Sequence, residues 1–224
     1  MMIDMKKIRY YVLTYQNELR KQHVMNLLRG YHCSCIESVK DREKFKSGAL
    51  GQMKLIDKAC QDMSNQTFEP FVIFEDDIEK YREFPPALDI PDNSDLLYLG
   101  ISKCGMNDVS WCFEVCHDPV NEDLVRVYNM LSLHGYMICS MVGLLRLQKC
   151  FMEAYYENKE WDINVAYMQP YMYTYALKRP LVYQKQELGG QERWTKIEYK
   201  EKEKPLPEHW KIRENASIRS NYME

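Results

Sequence analysis

The chain has 224 residues, 46% of them apolar and 28% charged, which is enough apolar material for one α/β domain with a real core. Its formal net charge of −3 argues against a broad electrostatic grip on nucleic acid, while leaving room for a small basic pocket around a diphosphate. The N-terminus, MMIDMKKIRYYVLTY, has no long apolar run behind its positive charges, and residues 128–147 are interrupted by Asn129, Ser132, His134, Ser140 and Arg146. Neither a signal peptide nor a membrane span is expected, and the chain reads as a soluble protein of the cytoplasm. Its eight cysteines are then expected to be reduced and mostly buried. Cys112-x3-Cys116-His117, with Cys104 nearby, matches no standard zinc framework.

Residues 7–14, KIRYYVLT, are rich in β-branched and aromatic side chains and read as a first strand. Asn17 offers an N-cap to a helix with Leu19, Val24, Leu27 and Leu28 on its apolar face, and Gly30 suits the stop. Residues 31–39 read as a second strand. Ser47-Gly48 opens a second helix, with Ala49, Met53, Ile56 and Cys60 along one side. Residues 61–69 form a polar loop. Phe71-Val72-Ile73-Phe74 is a short continuous apolar run, as in a central strand covered on both faces. Residues 96–99 make another buried strand, closed by Gly100. Residues 111–115 and 124–130 read as strands, and residues 136–139 as one more. Ser140 caps a helix whose apolar face uses Met141, Leu144, Leu145, Met152 and Tyr155. Asp162 caps a short helix that Pro170 ends, and residues 181–184 form a last strand. The expected architecture is an α/β domain over residues 1–195 with a mixed, mostly parallel central sheet in three layers. A charged extension, residues 196–224, packs on its surface.

The strongest chemical signal is FVIFEDDIE, residues 71–79. A buried strand delivers Glu75, Asp76 and Asp77 to the edge of an open α/β sheet, where ligands of such folds bind. Adjacent carboxylates repel, and a hard divalent cation, magnesium or manganese, relieves that repulsion while keeping positions open for phosphate oxygens. A solvated acidic turn has the same sequence. Ser47-Gly48-Ala49-Leu50-Gly51, followed by Lys54, suits either a helix start facing an anion or close helix packing. LYLG (97–100), HGYMICS (134–140) and Trp161-Asp162 complete the set, with helix capping the ordinary role for such an aspartate.

In their order, GALG, FVIFEDD, LYLG, HGYMICS, WD and YALKRPLVYQ resemble glycosyltransferase family 25, over residues 11–184. That family includes lipooligosaccharide and collagen sugar transferases, and the chain also looks like small transferases of large algal viruses. The resemblance implies a GT-A-type nucleotide-binding domain, a UDP-sugar donor, a glycan or other hydroxyl acceptor, a bound manganese or magnesium, and an inverting reaction. By analogy Glu75 faces the donor ribose or the metal, Asp77 binds the metal, and Asp76 assists either. The glutamate stands where the family's Asp-X-Asp motif begins with aspartate. Thr14 and Tyr15 would lie near the base, and Arg20 near a phosphate. Gly48 and Lys54 would approach the donor, while His134 and Tyr136 would line a sugar pocket. Asp162 is the first candidate for the base and Asp108 the reserve. Gln184 and His209 are late-chain candidates for a further metal ligand. A non-catalytic glycan-binding module and a nucleotidyltransferase are the competing readings.

Overall fold

The computed structural model describes residues 1–38, 43–63, 67–106 and 111–200. Its first half runs β1 (Met2–Asp4), β2 (Arg9–Thr14), α1 (Glu18–Leu27), β3 (His32–Glu37), α2 (Lys44–Asp62), β4 (Phe71–Glu75), β5 (Ile78–Lys80), β6 (Ala87–Asp89) and β7 (Leu96–Tyr98). The second half runs β8 (Gly105–Met106), β9 (Trp111–Phe113), β10 (His117–Pro119), β11 (Leu124–Val127), β12 (Gly135–Ile138), α3 (Met141–Glu157), α4 (Trp161–Met168), β13 (Thr174–Leu177), β14 (Val182–Gln184) and α5 (Glu192–Thr195).

Eight strands form one sheet in the order β10-β11-β13-β7-β12-β4-β2-β3. The pairs β2–β3, β2–β4 and β7–β13 are parallel. The pairs β4–β12, β7–β12, β11–β13 and β10–β11 are antiparallel. The sheet is therefore mixed, and the expectation that it is mostly parallel is corrected at the level of pairing. Strand β12 runs against both of its neighbours, β4 and β7, and so separates the parallel pairs on either side. Three two-stranded ribbons, β1–β6, β5–β14 and β8–β9, surround the main sheet.

Alternation along the central strands sends side chains to two cores. Tyr11, Leu13, Phe71 and Ile73 face one core, with Leu55, Ile56 and Ala59 of α2, Leu144, Leu147 and Phe151 of α3, and Val165 of α4. Tyr10, Val12, Val72 and Phe74 face the other, with Val24 and Leu28 of α1 and residues of the small ribbons. Asn17 caps α1 by accepting the Arg20 N–H, and Ser140 caps α3 by accepting the Gly143 N–H. No helix among the described residues is long and apolar enough to cross a membrane.

Several sequence expectations shift. Helix α2 begins at Lys44, not at Ser47-Gly48, and continues through residue 62, where a loop was expected. Asp162, expected as the cap, lies in the first turn of α4, two residues past Glu160, which occupies the cap position. The expected strand over residues 111–115 ends at Phe113 and pairs with β8. Strand β11 instead pairs with β10 and β13. On α3, Met141 (45% exposed), Leu145 (57%) and Met152 (47%) face outward, because the buried stripe runs through Gly143, Leu144, Leu147, Cys150, Phe151 and Ala154. Small residues in that stripe let α3 lie close to its neighbours.

Candidate acidic site at the end of strand β4

Strand β4 carries four apolar residues and then turns polar at its carboxyl end. Ile73 faces the α2–α4 core and Phe74 the opposite one. By the same alternation Glu75 points toward the side of α4, where Asp162 sits in the first turn. Asp76 and Asp77 form the turn into β5, and both are buried. Strand β5 pairs with β14 in a register that sets Ile78 opposite Gln184. That register brings Gln184 back over the turn.

Each acid has a different set of partners. Asp76 accepts the backbone N–H of Tyr15 at 2.9 Å and the Arg20 guanidinium at 3.2 Å. The Gln184 amide nitrogen donates to Glu75 Oε2 at 3.2 Å and to Asp77 Oδ2 at 3.3 Å. The backbone of Asp77 is held too, its carbonyl accepting the Lys185 N–H at 2.8 Å. Asp77 Oδ1 is buried with no hydrogen-bond partner among the described residues.

The electrostatics follow from this crowding. Burial, then the charges of Asp77, Asp162 and Asp76, push the Glu75 carboxyl well above the usual range. Burial pushes Asp77 up to about 6, against the pull of Arg20. Burial, then the charge of Glu160, pushes Asp162 up to about 6. Asp76 is raised by burial, an effect opposed by the Tyr15 N–H and Arg20. The Tyr15 phenol is held well above its ordinary range by burial, then by Glu75, Asp76 and Asp77. A cluster of buried carboxylates with raised pKa values stores repulsion that a cation or a proton relieves.

Glu75, Asp76, Asp77, Tyr15, Arg20 and Asp162 thus converge. Other expected residues do not present themselves to a ligand. The Thr14 hydroxyl donates to the Ile36 carbonyl at 3.3 Å, tying β2 to β3. Gly48 lies within α2 rather than at its start, and a Cβ there would overlap the Trp161 ring, so its smallness serves packing. Lys54 is exposed on α2, off the buried face that carries Gly48, Gln52, Leu55 and Ala59. His134 is enclosed: its Nδ1 meets the Ser132 hydroxyl, its Nε2 lies where a Cβ on Gly100 would fall, and burial lowers its pKa to about 4. Tyr136 is also enclosed, and its hydroxyl donates to Gln52 Oε1 at 2.8 Å. His134 and Tyr136, expected to line a sugar pocket, are both buried. Asp108 and His209 lie outside the described residues.

Among the described residues, no group of three or more His, Cys, Asp and Glu side chains is arranged to hold a metal ion. Magnesium-type sites commonly use one or two carboxylates and leave the other positions to water and substrate phosphate. Glu75 and Asp77 share one amide donor and leave one buried carboxylate oxygen unpartnered, which fits a two-carboxylate site of that kind. Sequence reasoning gave Gln184 only as a late-chain candidate. It gave no role to Gln52, whose Nε2 is buried without a hydrogen-bond partner among the described residues. Gln52 directly follows GALG and Gln184 ends YALKRPLVYQ, but an amide at either place carries no spacing that points to the acids. No protein-family model matches the chain, and no curated protein matches it.

Proposed function

We propose that the chain is a metal-dependent glycosyltransferase of GT-A type, which moves a sugar from a nucleotide-diphosphate donor, a UDP-sugar, to a glycan or other hydroxyl acceptor with inversion. The observation that carries this reading is the set of buried acids at the carboxyl end of β4, two of them sharing the Gln184 amide and a fourth carboxylate, Asp162, raising the pKa of Glu75. Glu75 and Asp77 would hold magnesium or manganese, which when bound supplies Lewis-acid stabilisation of the charge on the departing diphosphate. Asp76 fixes the turn after β2 through the Tyr15 N–H and anchors Arg20, and so shapes the wall against which the nucleotide rests. Asp162 accepts the proton of the acceptor hydroxyl. Its pKa near 6 leaves it ionised at neutral pH and still basic enough for that step.

Calorimetry with UDP tests the reading. Binding is expected with manganese, with little without it, and Asp77→Ala should abolish the metal-dependent part. Nucleotide binding that ignores manganese, or no nucleotide binding, sinks the proposal. A turnover assay with donor alone and with donor plus acceptor separates an enzyme from a sugar-binding module. Metal-dependent donor hydrolysis marks the enzyme.

A further inference from the structure

Strand β3 is an edge of the eight-stranded sheet, and its sequence HCSCIE places Cys33 and Cys35 two residues apart, on one face. That face packs against the core that includes Val24 and Leu28 of α1. Helix α1 also supplies Met25, whose Sδ lies 3.2 Å from Cys35 Sγ and 4.0 Å from Cys33 Sγ. Both thiols are free and half-buried, and Met25 is 40% exposed, so the three sulfurs are gathered yet reachable from solvent. We propose that Met25, Cys33 and Cys35 form a three-sulfur site for a soft monovalent metal ion of the copper(I) class.

The geometry suits such an ion. With metal–sulfur bonds of about 2.3 Å, three sulfurs around a trigonal ion sit about 4 Å apart. The Cys33–Met25 separation already matches, and the Cys35–Met25 separation needs to open by less than an ångström. The Met25 side chain has three rotatable bonds with which to do so. The donor set also selects the ion. Two thiolates and a thioether are soft ligands that favour copper(I). Structural zinc takes four nitrogen, sulfur or oxygen ligands, and no group of three His, Cys, Asp and Glu residues stands ready to hold a metal among the described residues.

Binding balances simply. The two thiols release their protons to the medium, each sulfur gives one electron pair to the metal, and no electron changes hands. The complex carries one net negative charge. The site uses none of the side chains assigned to donor binding.

The test is a competition of the reduced full-length chain with bathocuproine disulfonate for copper(I), under nitrogen. The chain should withdraw one equivalent. Cys33→Ser and Cys35→Ser should each weaken binding about 100-fold or more, and Met25→Leu about tenfold, while Cys60→Ser leaves it unchanged. Circular dichroism of each variant keeps a folding defect apart from a lost ligand. Folded Cys33→Ser and Cys35→Ser proteins that still withdraw copper like the parent would overturn the site. Zinc displacing copper(I) at equal concentration would overturn the choice of a soft ion.

Discussion

At Asp162 and Asp77 burial raises both carboxyls to about 6, roughly two units above an ordinary aspartate. A folded-state pKa above the unfolded value means the folded chain holds extra protons between about pH 4 and 6. The metal-free protein therefore loses stability as pH rises through that window, and carries the full penalty above it. The full shift corresponds to roughly 2–3 kcal/mol for each group, less for half-buried Asp162, whose charge water partly screens. Asp162→Asn removes its share. Thermal melts should show a larger gain at pH 8 than at pH 5, by about 1 kcal/mol. An equal gain at both values would assign the effect to packing instead. Arg20 makes the opposite case. Asp76 is fully buried and Arg20 is its one salt-bridge partner among the described residues, so Arg20→Ala leaves a charge without that compensation. The guanidinium is partly exposed, so urea unfolding at pH 7 should show a loss of about 2–3 kcal/mol, below that of a fully buried pair. A loss under 0.5 kcal/mol would mean that the Tyr15 N–H alone holds Asp76.

Helices and strands differ in how plainly the sequence marks them. The central strands β2, β4, β7 and β12 were legible because each is a short apolar run that only a doubly covered strand accommodates. The caps Asn17 and Ser140 were legible because a side-chain oxygen before an apolar repeat has one common use. Strand β13, TYAL, was not separable from its surroundings, since four residues next to Pro170 and two tyrosines carry no clear period. The inward face of α3 was misread for a related reason. Burial there follows Gly143, Cys150 and Ala154, whose small size matters more than their hydrophobicity. The acidic motif was legible, but its partners were not: Gln184 reaches it only through the β5–β14 register, which no local pattern encodes. Glycine substitutions separate the two sorts of helix packing. A Cβ at Gly143 would overlap the Asp95 backbone carbonyl, which has no rotamer to yield. A Cβ at Gly51 would meet the Leu13 side chain at 2.9 Å, and leucine can turn aside. Alanine adds helix propensity of about 0.8–1 kcal/mol at either place. Gly143→Ala should still cost about 2 kcal/mol through forced backbone movement, while Gly51→Ala stays within about 1 kcal/mol of the parent. Denaturant midpoints at constant slope measure both, and an equal cost would show that α2 is as rigidly seated as α3.

Across the whole molecule, the proposed donor site joins parts that lie far apart in the chain. Tyr15 and Arg20 come from the β2–α1 connection and the start of α1, the acids from the end of β4, Asp162 from α4, and Gln184 from β14. In the metal-free state burial raises the pKa values of Glu75, Asp77 and Asp162, and at Glu75 the charges of Asp77, Asp162 and Asp76 add to it. A ligand that neutralises the acids stabilises the assembled fold more than it stabilises any one element, because the unfolded chain offers no such cluster. Manganese with UDP at 100 times its dissociation constant should add about 2.7 kcal/mol by mass action. For a domain of this size each kcal/mol moves the midpoint by about 2–4 °C, so a rise of about 5–10 °C is expected. Manganese alone should give a smaller rise, and UDP alone little or none, because the diphosphate would then meet uncompensated carboxylates. Asp77→Ala should melt higher than the parent without ligand, through lost repulsion, and should show no rise with manganese and UDP. A parent protein stabilised equally by UDP with and without manganese would place the nucleotide away from β4, and the acids would then be a structural turn that titrates near pH 6.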